Sequence, residues 1–525
     1  MNRSNEHPHD RSIVDGSAGS DFLQLDIGEA PSGGRADWLA GRLRRAISDG
    51  LLPLGSRLPA TRVLAAELRV SRGVVTEAYQ RLSEDGHVAG RGRNGTVVVA
   101  APADTAPRPG LPRQAAPSGD VGPGNGVGRS GDAGPGNEAG IGNLFAAPPG
   151  DDIFDLIRAA PARIDLSPGV PDLTAFPRAA WLRAEREVLG GLSASGFGYG
   201  DPRGTPELRR AVVHWLARNR GIRAEPDEVI VVAGTTQALA LLGQVLRAGG
   251  VEEIAVEDPG SLGVRQHLRW QGLRTPPVSV DAEGVRVDEL GSHGAVLLTP
   301  AHQFPTGVVL GGARRRALMR WAGDGGLVVE DDYDAEHRYD RPPVPALRSM
   351  LPERVCYAGS VSKLLAPALR TGWVLVPARH RDTLVDAKRF ADLGNAALPQ
   401  LVLARLMESG ELERHLRLLR RRHRRRRDAM IAAIRDRLPG AVVHGAAAGL
   451  HLLVTFEGPR IGGVGPLSDT DLAAAALARG VKVHPLSWHR QRPGPPGLLL
   501  GYAASPASVI TDGVAAIGDA LDDVR

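Results

Sequence analysis

The sequence predicts two folded parts of different class: a small helical unit closed by a β-hairpin, and a large α/β unit that ends in a smaller α+β subdomain. Three observations predict this. Apolar residues fall at helical spacing from Trp38 and give way to two short strand-like runs before residue 100. Residues 101–160 begin with a long stretch dominated by Pro, Gly, Ala, Asp and Asn, from which no core can be built. From about Ile164 onward strand-like and helix-like segments alternate, as in a largely parallel sheet wrapped by helices.

Residues 1–34 lack periodic apolar pattern and read as a disordered tail. The first domain, 35–100, follows. Leu39, Leu43 and Ile47 share one face of a first helix that Gly50 ends. A second helix spans Thr61 to Leu68, and a third runs from Ser71, a good N-cap, to about Asp85, with Val75, Tyr79 and Leu82 on its buried face. Gly86 stops it, and 87–99 form two short strands around a turn holding Arg91 and Arg93. Three helices and a basic hairpin make a winged helix-turn-helix. The third helix can enter a major groove, where a guanidinium grips bases or phosphates bidentately; Arg62 and Arg72 are the best placed, and Arg91 and Arg93 can reach phosphates or an adjacent minor groove.

After the flexible linker, 161–525 form the second domain. Its expected strands are Glu228 to Val232, Ile254 to Glu257, Ala295 to Thr299, Leu327 to Glu330, Val355 to Ala358 and Trp373 to Val376, with a helix from Thr236 to Leu246. Ligands of such sheets bind beyond the carboxyl ends of the strands. From about Phe390 the chain reads as the smaller subdomain.

Composition narrows the function. The formal charge is +5 over 525 residues, so the whole chain is no polycation and local basic clusters matter more. Cys356 is the single cysteine; it excludes an intrachain disulfide, makes a Cys-based metal cluster unexpected, and fits a reducing, cytoplasmic setting. No apolar run of about 18 residues and no signal-type h-region is present, so no membrane association is expected. The arginine run from Arg417 to Arg427 reads as a solvated helix face, with auxiliary phosphate contact as the minority alternative.

The chain contains only three lysines, Lys363, Lys388 and Lys482, against an abundance of arginine. A lysine can lose its proton in a desolvated pocket and form a Schiff base; an arginine cannot. Lys363 stands in Gly359-Ser360-Val361-Ser362-Lys363, seven residues before Arg370, which is suitable ground for an aldehyde cofactor carrying a phosphate. Lys388 reads as an exposed helical residue and Lys482 as an outward strand position. Gly234-Thr235-Thr236 opens a helix, whose free N–H groups and dipole suit a phosphate; Ser360, Ser362 and Arg370 add hydroxyls and a cation. Glu330-Asp331-Asp332-Tyr333-Asp334 follows an apolar strand. An aspartate there can keep a pyridine nitrogen protonated, and a tyrosine two residues on can reach the ring hydroxyl. His302, in a turn at another strand end, can be a ring contact or a structural turn residue. Tyr199 sits in an exposed loop leading into a helix.

Two resemblances follow from these strings. The run Leu58-Pro59-x-x-Arg62-x-Leu64-Ala65-x-x-Leu68-x-Val70-Ser71-Arg72-x-x-Val75-x-x-Ala78-Tyr79 resembles the DNA-binding domain of the GntR family. It implies contacts to double-stranded operator DNA from Arg62, Ser71, Arg72, Thr76, Arg91 and Arg93. The strings Pro300-Ala301-His302-Gln303-Phe304-Pro305-Thr306-Gly307 and Glu330 to Asp334, with Lys363, resemble fold-type I aminotransferases dependent on pyridoxal 5'-phosphate. The fusion resembles the MocR/GabR-type subfamily of GntR regulators. The resemblance implies that Lys363 bonds the cofactor, Asp331 pairs with its pyridine nitrogen and Tyr333 contacts its ring hydroxyl. Gly234, Thr235, Thr236, Ser360, Ser362 and Arg370 would surround its phosphate. Tyr199 would reach the phosphate of a second subunit in a head-to-tail homodimer. The expected function is a transcriptional regulator sensing an amine, an amino acid or the cofactor itself; the alternative is a working aminotransferase carrying a DNA tether. Two positions depart from the family pattern. Ser261 follows Asp258-Pro259-Gly260 where an aromatic residue often stacks on the cofactor, and Ala503-Ala504 stand where GABA-responsive members carry an arginine.

Overall fold

The computed structural model describes residues 25, 27–31, 34–48, 51–53, 55–84, 87–90, 95–99, 144–339, 344–456 and 467–524. The chain divides into two compact units within Met1–Pro123 and Gly124–Arg525.

In the first unit, helices α1 (Arg35–Ser48), α2 (Thr61–Glu67) and α3 (Arg72–Glu84) precede strands β1 (Val88–Gly90) and β2 (Thr96–Val98). The strands pair antiparallel, with Val88 opposite Val98 and Gly90 opposite Thr96. Leu39, Leu43, Ile47, Leu64, Val75, Tyr79 and Leu82 share one core with Val88 and Val98. Leu25, from the stretch expected to be a disordered tail, packs against that core. Gly50, Asp85, Gly86, Arg91 and Arg93 lie outside the described residues, so the expected helix stops and the two hairpin arginines are not placed.

The second unit begins inside the stretch expected to be linker. Phe145, Ile153 and Ile157 are buried in a core with Met430, Ile434 and Leu452, so 144–160 is folded; helix α4 (Ile153–Ala159) carries two of them. Its apolar residues recur four apart, but the Pro/Gly bias of the preceding residues masked the pattern.

Next come β3 (Ile164–Asp165), α5 (Arg178–Gly191), α6 (Pro206–Arg220), β4 (Ile230–Val232), α7 (Thr235–Ala248), β5 (Ala255–Asp258) and α8 (Leu262–Trp270). Helix α6 shows why such segments fold: Pro206 presets its first turn, the Thr205 hydroxyl accepts from the Leu208 N–H at 3.3 Å, and Gly221 ends it in the left-handed region. Strands β6 (Pro277–Asp281), β7 (Gly284–Val285) and β8 (Ala295–Leu298), helix α9 (Gly312–Gly323), and strands β9 (Leu327–Asp332), β10 (Val355–Ser360) and β11 (Gly372–Leu375) complete the large sheet. Its order is β4-β11-β10-β9-β8-β5-β6-β7. The run from β10 to β6 is parallel, as expected, whereas β11 is antiparallel to both β10 and β4. The segment 361–371 is too short for the crossover a parallel return needs, so β11 must run back beside β10. That return loop carries both Lys363 and Arg370.

Helices α10 (Ala378–Asp392), α11 (Ala397–Glu408) and the long α12 (Glu411–Arg437) follow. Leu403 and Met407 of α11 belong to the core of the large domain, so the smaller subdomain starts later than Phe390, partway along α12. It contains β12 (Ala441–His444), β13 (His451–Phe456), α13 (Asp469–Ala478), β14 (Val481–Lys482), β15 (His484–Pro485), β16 (Gly497–Gly501) and α14 (Ala507–Asp523). Strands β12-β13-β16-β15 form one antiparallel sheet, and β14 pairs with β3. Among the described residues no helix is long and apolar enough to cross a membrane.

Candidate cofactor and DNA sites

Strands β4, β9 and β10 run in the same direction, so Ala233, Asp332 and Ser360 emerge at one edge of the sheet, and the candidate site is built there. Asp331 lies opposite Ala358 in the β9–β10 register. Its carboxyl is buried, and Oδ1 has no hydrogen-bond partner in the protein. Burial pushes its pKa up to about 7; Asp332 and Asp334 push the same way and Lys363 opposes them. A buried acceptor without a donor is costly, and a protonated ring nitrogen would satisfy it.

Lys363 is half-buried, and its amine donates to the Gly169 carbonyl. Burial draws the amine below the ordinary lysine range, opposed by Asp334 and Asp331. Gly169 has φ +76°, and a Cβ there would stand 3.3 Å from the Lys363 Nζ. Glycine at 169 therefore keeps the space around the amine open.

Tyr333 and His302 meet beside them. The His302 Nδ1 lies 2.9 Å from the Tyr333 hydroxyl and 2.9 Å from Asp334, while its Nε2 has no partner. His302 is buried, and Phe304 packs edge-on to the Tyr333 ring at 6.3 Å. The structure thus places His302 behind Tyr333, a position compatible with holding the hydroxyl.

The remaining residues lie just beyond β4 and at the end of β10 and in the loop that follows it. Gly234 caps α7 at φ +82°, where a side chain would come within 3.5 Å of the Arg370 guanidinium. Thr235 and Thr236 start the helix, and the Arg370 Nη2 donates to the Ala233 carbonyl at 2.5 Å. The Ser360 hydroxyl lies 2.8 Å from that of Ser362 and accepts the Ser362 N–H. Arg370 and Gly234 thus meet at the N-terminus of α7, a place suited to an anion, while Ser360 pairs with Gly372 of β11, whose other neighbour is Val232 of β4. Tyr199 is 97 % exposed.

Sequence reasoning missed the scaffold beneath these residues. Gln237 Oε1 accepts from the Ala233 N–H at 2.7 Å and from the Lys388 amine at 3.0 Å. Lys388, expected to be exposed, is fully buried and also donates to Asp392 at 2.6 Å and to Asn395 at 2.6 Å. Asn395 in turn donates to the Arg370 carbonyl at 3.3 Å. Lys482, expected to point outward, is buried and donates to the Arg158 carbonyl at 3.1 Å. The Gln237 within Thr-Thr-Gln and the rarity of lysine were the signals available. Below β9, Asp332 takes Arg220 and the Tyr357 hydroxyl, both at 2.5 Å, and Glu330 takes the N–H groups of Leu347 and Arg348. The acidic run is thus mostly structural; Asp331 Oδ1 and Asp332 Oδ1 lack partners, but the other Asp332 oxygen is held by Arg220 and Tyr357, whereas Asp331 interacts with the Lys363 charge.

The arginine run departs from a plain solvated face. On α12, Arg422 and Arg426 are buried and share Asp172 at 3.1 and 2.8 Å. Arg417, Arg421 and Arg425 are exposed. Ser261 caps α8 by accepting from the Val264 N–H at 3.3 Å, which accounts for a hydroxyl residue at this position.

In the first unit, Arg62, Ser71, Arg72 and Thr76 are all exposed at the starts of α2 and α3. Arg72 Nε donates to the Thr61 hydroxyl at 3.3 Å, and the Tyr79 hydroxyl donates to the Pro59 carbonyl at 2.8 Å, tying α3 to the entry of α2.

Fold and site together define a winged helix-turn-helix joined to a fold-type I aminotransferase-like domain. Residues 36–98 match the bacterial regulatory proteins of the gntR family, and residues 162–498 match the class I and II aminotransferases. The chain belongs to the MocR/GabR-type subfamily of GntR regulators, which combines these two domains. It is 31 % identical to the probable rhizopine catabolism regulatory protein MocR of Rhizobium meliloti over 91 % of this chain and 92 % of that protein. It is 29 % identical to the pyridoxine biosynthesis transcriptional regulator PdxR of Corynebacterium glutamicum over 92 % and 95 % of the two chains. Among solved structures, the kynurenine aminotransferase of Pyrococcus horikoshii, crystallised with PMP, superposes with a TM-score of 0.63 at 25 % identity, covering 71 % of this chain and 93 % of that one.

Proposed function

We propose that this GntR-type regulator binds operator DNA through residues 35–98 and holds pyridoxal 5'-phosphate at Lys363, using the aminotransferase-like domain to sense an amine, an amino acid or the cofactor itself. One observation carries the reading. The same chain combines a helix-turn-helix with exposed Arg62, Ser71, Arg72 and Thr76 and a desolvated lysine beside a buried, unsatisfied Asp331 oxygen. When bound, the cofactor supplies an aldehyde that captures amines and a ring that withdraws electrons. The chain's own residues do the rest. Lys363 presents its amine with the proton affinity lowered by burial. Asp331 holds a proton at the ring-nitrogen position, and Tyr333, braced by His302, donates at the ring hydroxyl. Arg370, Ser360, Ser362 and the α7 N-terminus, through Gly234, Thr235 and Thr236, hold the phosphate. The exposure of Tyr199 at 97 %, Phe197 at 61 % and Phe390 at 87 % supports a second subunit covering these side chains, which we read as a head-to-tail homodimer. For the ligand to act as a switch it must favour one arrangement of the DNA-binding modules over another.

The test is footprinting of DNA upstream of neighbouring genes, with and without pyridoxal phosphate and candidate amines. A specific site whose occupancy changes with effector is expected; no such site would overturn the regulatory reading. The completeness of the Lys363, Asp331 and Tyr333 set favours a second reading, a working aminotransferase. Conversion of the bound cofactor to its amine form by an amino donor, with turnover, would establish that activity.

A further inference from the structure

Outside the candidate cofactor site, a cavity of about 610 Å³ lies between residues 145–149, helix α8 and the segment 487–491. Its lining has an unusual charge. Arg265, Arg269 and Arg490 all line it, and among the described residues no Asp or Glu does. Arg265 is 3 % exposed; its Nη1 and Nη2 donate to the carbonyls of Gly260 at 2.8 Å, His489 at 3.1 Å and Trp488 at 2.9 Å, and its Nε has no partner. The buried Nε of Arg490 and the buried amide nitrogen of Gln491 also lack partners. Arg269 donates only to neutral oxygens, those of Thr275 and Gln491, both at 3.3 Å.

The acids that act on this cluster through space are Asp258 and Asp469. Asp258 accepts the N–H groups of Gln491 and Arg492, and Asp469 those of Ser487 and Gly497. Both are therefore committed to backbone. Burial and the neighbouring Arg269 draw Arg265 down to about 10, with Asp258 opposing them. The other wall is apolar: Phe145 stacks on Trp488 with ring centroids 5.2 Å apart, and Leu262 lies beside them. Buried cationic donors without a carboxylate, next to a flat apolar wall, suit a ligand with an anionic head and an apolar body.

We propose that this cavity is a second ligand site, distinct from the Lys363 site, that takes a small organic anion bearing an aromatic or other apolar group. It does not depend on the reading of the Lys363 site. Arg265 also ties it to the turn that follows β5, by donating to the Gly260 carbonyl. It is also lined by Phe145, next to the first described residue of the second unit.

Isothermal titration of the full-length protein with benzoate and, separately, inorganic phosphate tests this. Saturable binding of benzoate is expected. Inorganic phosphate binding as tightly as benzoate would mean that the apolar wall contributes nothing and would overturn the ligand class. Affinity should fall about tenfold in Arg490→Gln and in the exposed Arg269→Gln, whose fold is not at risk. It should be unchanged in Arg370→Gln, which removes the cation of the phosphate cradle. No saturable binding, equal affinity in Arg269→Gln, or loss in Arg370→Gln would each overturn the proposal.

Discussion

The buried amine of Lys388 donates to the side-chain oxygen of Gln237 at 3.0 Å, and that oxygen also receives the Ala233 N–H that leads into the α7 cradle. Lys388 reaches Asn395 as well, which binds the Arg370 carbonyl. One ammonium thus braces both sides of the proposed phosphate site. Its three compact donors suit this pocket, and the wider planar guanidinium of arginine does not.

Lys388→Met is expected to weaken pyridoxal phosphate binding by about tenfold and to lower the thermal midpoint, since it leaves Asp392 and Gln237 without their donor. Lys388→Arg should restore little of either. Absorbance titration with the cofactor and thermal melting of the two variants check this.

Asp331 predicts a pH dependence. Its folded pKa, raised to about 7 from 3.8, means that the folded protein holds a proton the unfolded chain has lost between those values. Stability from this group is therefore full below about 4 and is lost as pH rises through about 7. Relative to Asp331→Asn, the cofactor-free protein should lose stability across that window. Melting curves of both proteins from pH 4.5 to 8 read the difference, and saturating cofactor should diminish it.

Asp172 is shared by Arg422 and Arg426 inside the protein. Asp172→Ala is expected to cost about 3 kcal/mol or more by leaving two guanidiniums buried without their carboxylate. Chemical unfolding measures it. By contrast, Arg421→Gln with Arg425→Gln, on the exposed face, should leave the salt dependence of DNA binding unchanged.

Arg72→Ala should weaken binding to the specific operator by about 1–3 kcal/mol. Its bond to Thr61 makes Thr61→Val a useful companion: loss of that orienting contact should weaken binding less than loss of the guanidinium. Mobility-shift titrations at fixed salt compare the two.

Much of the fold was legible because local patterns repeat the physics of the finished structure. The apolar runs at 295–299, 327–330 and 355–358 became central parallel strands because a strand covered on both faces has no polar side to display. Strands β6 and β7 were not foreseen: β7 is two residues long, and β6 starts at a proline. The reversed direction of β11 was not legible either, because the expected strands, ending at Ala358 and starting at Trp373, left a gap long enough for a crossover, whereas the strands extend to Ser360 and from Gly372 and leave a loop that is not.

By itself, the sequence determined the two domain types, the strand ends that carry chemistry and the candidacy of Lys363, Asp331, Tyr333 and Arg370. Residue type, rarity and spacing encode these directly. Only the tertiary structure decided which charges are inside. It buried Lys388, Lys482, Arg422 and Arg426, each beside partners distant in sequence or on the next turn, and left one oxygen of Asp331 without a donor. Burial of a charge depends on partners brought together by packing, and a linear pattern of polar residues does not record where those partners will lie.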